Sequence, residues 1–192
     1  MQLNTIFFIG PQGSGKGTQA KLLAARLNFF YWEMGGILRE VAKKQSELGK
    51  EVKQLIDNGI LLPDGALLKV VKSRLSQIPK EQGVIFDGIP RRLKQAEFLL
   101  NFIKTQGREE FATIFIDLPK EESLNRLLLR GQKENRADDT KEKIELRLQQ
   151  YYNDTLPVVD FLKQQTQFFE IDGRPSVNEV TQDINQSLNL DA

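Results

Sequence analysis

The chain contains no cysteine and no histidine. Without thiols there is no disulfide framework, no thiolate nucleophile and no cysteine-based zinc site, and without imidazole there is no histidine general base. Chemistry here must run on Lys, Arg, Asp, Glu, backbone amides and a hard cation such as Mg²⁺. Charge of one sign is missing too: 27 Lys and Arg stand against 26 Asp and Glu. No overall field therefore draws the protein to nucleic acid or to an anionic membrane. No apolar run approaches the roughly 18 residues of a membrane span, and Met1 to Thr5 lack the basic and apolar character of a signal peptide. A cytoplasmic protein is the expectation, with a monomer as its working form. No internal repeat and no low-complexity segment interrupts the 192 residues, a length that favours one main domain.

What is present alternates between two textures. Short apolar runs rich in β-branched and aromatic residues occur at Ile6 to Ile9, Val84 to Phe86, Thr113 to Leu118 and Phe168 to Ile171. They suit strands buried on both faces of a parallel sheet. Between them, apolar residues three and four apart mark helices over Lys21 to Leu27, Leu67 to Leu75, Ala96 to Ile103 and Ile144 to Leu162. Alternating strands and helices predict an α/β fold, a parallel sheet flanked by helices. Gly131 to Asn135 is the one polar stretch expected to be an exposed loop.

The segment Gly10-Pro11-Gln12-Gly13-Ser14-Gly15-Lys16-Gly17-Thr18 lies where a strand pattern gives way to a helix pattern. That context is what a phosphate-binding P-loop requires. Gly10, Gly13, Gly15 and Gly17 are expected to adopt conformations that turn consecutive N–H groups inward at the positive end of a helix. Lys16 then meets the β- and γ-phosphates of a triphosphate. The residue after Lys16 is Gly17 rather than the usual Ser or Thr, with Thr18 one place later. The plainer alternative is a glycine-rich turn carrying an exposed lysine.

Polyphosphates need cations, and arginine forks hold phosphate oxygens bidentately. The chain offers Arg39, Arg91, Arg92, Arg126, Arg130, Arg136 and Arg147. Any one of them is equally a solvated surface charge, and Arg126 and Arg130 are spaced to pair with Glu122 and Glu134. Asp87-Gly88-Ile89-Pro90-Arg91 follows an apolar run, which places Asp87 at the carboxyl end of a strand, the edge where open parallel sheets bind ligands. There Asp87 can orient a water on Mg²⁺, or it can serve simply as a helix cap.

Together these motifs resemble the nucleoside monophosphate kinases, and among them the adenylate kinases most closely. The loop is similar to the family's Gly-x-x-Gly-x-Gly-Lys-Gly-Thr-Gln, and Asp87 to Arg91 is similar to Asp-Gly-Phe-Pro-Arg. Arg126 to Arg130, Arg136-Ala137-Asp138-Asp139-Thr140 and Arg147 resemble the family's donor-side arginines and lid signature. The resemblance implies a P-loop three-layer fold with a five-stranded parallel sheet and reversible Mg²⁺-dependent transfer from ATP to AMP, giving two ADP. It implies a core of residues 1–29, 63–130 and 142–192, a helical monophosphate-binding insert over about 30–62 and a short lid over about 131–141.

It further implies Lys16, Arg91, Arg130, Arg136 and Arg147 around the transferring group. ATP would be held by Gly13, Ser14, Gly15, Lys16, Gly17, Thr18, Arg126 and Arg130, with Gly173-Arg174-Pro175 flanking the donor base. AMP would be held by Met34, Gly35, Arg39, Gly88, Arg91, Gln95, Arg136 and Arg147. Asp87 and Thr18 would reach Mg²⁺ through water, and Asp138 and Asp139 would organise the lid. A zinc-binding lid is not expected of a chain without cysteine.

One segment departs from the pattern. The family's acceptor signature usually reads Ser-Thr-Gly-Asp-Met/Leu-Leu-Arg, where this chain has Glu33-Met34-Gly35-Gly36-Ile37-Leu38-Arg39. Gln95 argues for adenine because its amide offers both a donor and an acceptor. The alternative is a UMP/CMP kinase or a pocket of relaxed specificity. More distant alternatives are a kinase for a non-nucleotide small molecule and a catalytically silent nucleotide-binding homologue. A switch GTPase would need a guanine-reading Asn-Lys-x-Asp, which the sequence lacks.

Overall fold

In the computed structural model, which describes residues 3–58, 60, 62–134 and 140–190, a five-stranded parallel sheet forms the centre. Its strands are β1 (Thr5–Ile9), β2 (Phe30–Glu33), β3 (Val84–Asp87), β4 (Phe111–Asp117) and β5 (Gln167–Asp172), arranged in the order β2-β3-β1-β4-β5. Four of them grow from the apolar runs read in the sequence. The fifth, β2, is an edge strand paired only with β3, so the chain first joins the sheet edge at 30–33 and turns helical at Met34.

Side chains alternate across the sheet as the two-residue period of a strand demands. Phe7, Ile9, Trp32, Phe86 and Phe115 enter the core on one face. Ile6, Phe8, Ile85, Ile114 and Ile116 enter the core on the other. The first face is covered by α4 (Asp64–Leu75), α5 (Leu93–Thr105) and α8 (Leu156–Gln165), with α2 (Met34–Ala42) and α3 (Glu47–Asp57) continuing beyond them. The second face is covered by α1 (Lys16–Leu27) and α9 (Val177–Ser187). Gln19 fixes these two helices together, donating to the Val177 carbonyl at 2.8 Å and accepting from Thr181 Oγ1 at 2.8 Å.

Two features differ from the sequence expectation. The polar stretch from Gly131 is not a loop: α6 runs Lys120–Glu134. An exposed helix end needs no apolar periodicity, and that is why its pattern is silent. The helix expected over Ile144 to Leu162 is divided into α7 (Lys141–Gln150), a π-helical turn Tyr151–Thr155 and α8. Pro157 sits in the first turn of α8, and having no N–H it cannot continue the preceding ladder, a common origin of helix irregularity.

Chain order reverses beside β1, which lies between β3 and β4. Parallel α/β sheets open a crevice at such a switch point, outside the carboxyl ends of the strands. The glycine-rich loop leaves β1 there, and Asp87 ends β3 one strand away.

Candidate active site

The loop after β1 is built from glycines with positive φ. Gly13 and Gly15 both lie at φ 87°, a region that side-chain-bearing residues occupy at a cost. Gly13 is also hemmed in, since a Cβ there would stand 3.0 Å from the Ser123 carbonyl oxygen and 3.2 Å from Leu127 Cγ. Gly15 is the left-handed N-cap of α1 and supplies no side-chain cap. The first-turn N–H groups of α1 therefore face the loop as an anion site reinforced by the helix dipole.

Gly17 departs from expectation. It lies within α1 and is not among the positive-φ residues. Its smallness serves a contact instead: a Cβ would stand 3.1 Å from Asp87 Oδ2 and 3.7 Å from the Tyr31 hydroxyl. The Ser or Thr of the general motif would crowd that carboxylate.

Lys16 donates from Nζ to the Pro11 carbonyl at 3.2 Å, so the loop backbone holds its ammonium in place. Burial pushes its pKa down to about 8, Asp87 opposes that shift, and Arg91, Arg130 and Arg147 add to it. Three guanidinium groups thus act on the Lys16 ammonium, and Asp87 is the acid that acts on both Lys16 and Arg91. Arg91 is held by a 2.9 Å bond from Nε to the Gly88 carbonyl. Desolvation lowers its pKa, Asp87 raises it, and Arg147 lowers it again. Two desolvated cations, Lys16 and Arg91, with further guanidinium groups acting on them, suit a polyanionic ligand.

Other expected residues take definite places. Arg126 pairs with Glu122 at 2.7 Å, as its spacing allowed, and also donates to the Gly173 and Arg174 carbonyls at 2.8 and 3.1 Å. It thereby ties α6 to the loop after β5. Thr18 is exposed in the first turn of α1, while Ser14 is buried with an unpartnered Oγ. Gln95 is buried, accepting from the Arg91 backbone N–H at 2.9 Å and donating to Asp64 Oδ1 at 2.8 Å. Gly88, at φ 82°, packs near Arg91 and Met34. Met34 itself is a core residue whose sulfur accepts from Trp32 Nε1 at 3.4 Å. Gly35 lies against the Arg39 guanidinium, which pairs with Glu33 at 2.7 Å. Arg136, Asp138 and Asp139 lie outside the described residues, as do 135–139 of the lid expected over 131–141.

Three residues were not singled out in the sequence. Tyr31 donates to Asp87 Oδ2 at 2.9 Å, and burial together with that carboxylate pushes its phenol pKa up. Thr155, in the π-helical turn, donates to the Arg91 carbonyl at 3.0 Å. Gln12 lines the same cavity as Lys16, Gly88, Arg91 and Thr155, and its buried Oε1 has no hydrogen-bond partner. Only Pro157, at the start of α8 just after the π-turn, left a trace in the sequence; the places of Tyr31 and Gln12 depend on tertiary neighbours.

Among the described residues, no group of three or more His, Cys, Asp or Glu side chains is placed to hold a metal ion. Asp87 is a single carboxylate with one oxygen engaged by Tyr31. That fits a hydrated cation carried mainly by phosphate oxygens rather than a protein cage.

Comparison with known proteins gives one consistent result. The profile of the adenylate kinase family matches residues 8–167. An adenylate kinase of Phocaeicola vulgatus is 38% identical over 182 residues, covering 95% of this chain and 96% of its own. One from Leptospira biflexa is 37% identical over 186 residues, covering 97% and 100%. Adenylate kinase 1 of a Nostoc species is 36% identical over 186 residues, covering 97% and 99%.

Proposed function

The chain belongs to the adenylate kinase family, a phosphotransferase that moves a phosphoryl group reversibly from ATP to AMP to give two ADP, and from that premise we propose how its own residues do so. The observation that carries the proposal is that Lys16, held by the glycine loop through the Pro11 carbonyl, lies within the electrostatic reach of Arg91, Arg130 and Arg147. Phosphoryl transfer leaves a protein little covalent work, so positioning and neutralising spread negative charge are what these cations supply.

The α1 N-terminus and the amides from Gly13 to Thr18 cradle the donor's phosphates, with Lys16 at its β- and γ-groups. Arg126, joined to the Gly173 and Arg174 carbonyls, shapes the surface for the donor base. Arg39 and Arg91 hold the acceptor phosphate. Gln95 reads the acceptor base, and Arg130 and Arg147 close on the transferring group together with Arg136. The attacking phosphate oxygen is already anionic near neutral pH, so no general base is needed, which suits a chain without histidine.

Asp87 and Thr18 would hold a Mg²⁺ ion through its waters, and the ion would supply charge neutralisation for the donor's phosphates. Asp87 is suited to that place because Tyr31 fixes one of its oxygens while the other stays available. We also propose a cytoplasmic monomer; the near balance of acidic and basic residues supports its working on nucleotides and not on nucleic acid or a membrane.

Turnover of AMP, CMP, UMP, GMP and dAMP with ATP, measured side by side, tests the acceptor assignment; CMP or UMP outrunning AMP would overturn it. Arg91→Ala tests the site: kcat falls by about 10³ or more, roughly 4 kcal/mol of transition-state stabilisation. Undiminished turnover in a folded Arg91→Ala protein would contradict the assigned roles.

A further inference from the structure

The segment that departs from the family's acceptor signature carries an ion pair of its own. Glu33 is the last residue of β2 and the N-cap of α2, yet its side chain caps no backbone N–H. Instead Oε1 accepts from Arg39 at 2.7 Å. The two glycines between them make room for this contact. A Cβ on Gly36 would stand 3.2 Å from Glu33 Oε2, and one on Gly35 would stand 3.1 Å from an Arg39 guanidinium nitrogen. The pair faces the transfer centre: Glu33 is the register partner of Asp87 across β2 and β3, and both Glu33 and Arg39 act on the Tyr31 hydroxyl that binds Asp87.

We propose that Glu33 is a built-in competitor for the acceptor phosphate at Arg39, and so sets the enzyme's affinity for its acceptor. The proposal rests on the assignment of Arg39 to the acceptor phosphate. A carboxylate and a phosphate are rival anionic ligands for one guanidinium fork. The acceptor binds only as the Glu33 carboxylate leaves Arg39, and that exchange weakens binding by what the ion pair is worth. At 52% and 37% side-chain exposure the pair is solvent-screened, and its worth is correspondingly small. Glu33 cannot follow Arg39 toward the phosphate without bringing two anions together. Its natural course is to swing out to solvent through the space that Gly36 leaves open.

The experiment is steady-state kinetics on Glu33→Gln, Arg39→Gln and the double variant, each with both KM values determined. Removing the Glu33 charge is expected to lower the acceptor KM by about two- to fivefold, the effect of an exposed ion pair, while the donor KM stays within its error. A raised or unaltered acceptor KM in Glu33→Gln overturns the proposal, a rise meaning that Glu33 positions Arg39 instead of competing for it. Arg39→Gln separates this from the premise: if the acceptor KM does not rise there, the assignment of Arg39 is what fails. In the Arg39→Gln background the Glu33→Gln effect is expected to vanish, and its persistence would show that Glu33 acts other than through Arg39. A destabilised fold would move both KM values and kcat together, so the split between acceptor and donor is the deciding readout.

Discussion

The Tyr31 hydroxyl donates to Asp87 Oδ2 at 2.9 Å across 56 positions of sequence, and α1 passes close enough that a Cβ on Gly17 would meet the same oxygen at 3.1 Å. Strand β2 supplies the donor, β3 the carboxylate, and the phosphate loop the space. Gly17→Ser, which restores the side chain of the general P-loop motif, is therefore expected to harm the enzyme. Crowding of this kind costs about 1–3 kcal/mol, so we expect kcat to fall about tenfold, with steady-state kinetics as the measure and the Tm as the control for folding. A Gly17→Ser enzyme as fast as the parent would show that the carboxylate yields freely.

Tyr31→Phe keeps the ring and removes only the donor. The Asp87 carboxylate loses one hydrogen bond of the stronger, charge-assisted kind, and its orientation loosens. The expected result is a raised Mg²⁺ requirement for ATP binding, measured by calorimetry as a function of free Mg²⁺, beside a loss of about 1–3 kcal/mol in unfolding free energy. A change in stability with no change in the Mg²⁺ dependence would make Tyr31 a purely structural partner.

Much of this was legible in the sequence, and the exceptions share a cause. The loop from Gly10 to Thr18 and four of the strands follow from local pattern and motif, while the grouping of Lys16 with Arg91, Arg130 and Arg147 was legible only through the family resemblance. Strand β2 was missed because Phe30–Glu33 is short and only partly buried, and it runs directly into a helix. Gly17 was given a backbone reason because glycine in a loop invites one; its true constraint is the carboxylate of Asp87, which only folding brings near. The polar end of α6 left no periodic trace, since no apolar core faces it.

The depressed pKa of Lys16 has a sign that can be followed. Burial disfavours its charged form, with a folded pKa of about 8 against 10.5 for the free side chain. The folded nucleotide-free protein therefore loses the Lys16 proton before the unfolded chain does. Between those values the unfolded state binds more protons, so Lys16 contributes stability that grows as pH rises from about 8 toward 10.5. Polyphosphate binding restores the charge. At a pH just above 8 ATP binding should take up a proton, seen calorimetrically as a dependence on buffer ionisation enthalpy, and this uptake should fade by pH 6.5 and vanish in Lys16→Met.

Thr155 tests the irregular turn between α7 and α8. Its hydroxyl donates to the Arg91 carbonyl at 3.0 Å from a largely buried position. Thr155→Val preserves the shape and leaves that carbonyl unmatched, at a cost of about 1–3 kcal/mol. For a chain of this length each kcal/mol lowers Tm by about 2–4 °C. Because the bond steadies the loop that carries Arg91, the acceptor KM should rise while the donor KM holds.

The acceptor base is expected to be read by an amide whose orientation is already decided. Gln95 Oε1 accepts from the Arg91 N–H at 2.9 Å, and Nε2 donates to Asp64 Oδ1 at 2.8 Å. One lone pair and one N–H remain, and side by side they complement the donor and acceptor on the adenine edge. Were the amide reversed, its NH₂ would face the Arg91 N–H and its carbonyl would face a carboxylate, so Asp64 selects the orientation that suits adenine. Asp64→Ala removes this bias without touching Gln95. Selectivity for AMP over GMP, taken as the ratio of kcat/KM values, should fall about five- to tenfold, equivalent to roughly 1–1.4 kcal/mol, while the donor KM is unaffected. Selectivity that survives Asp64→Ala but collapses in Gln95→Ala would mean that the Arg91 N–H alone is enough to orient the amide.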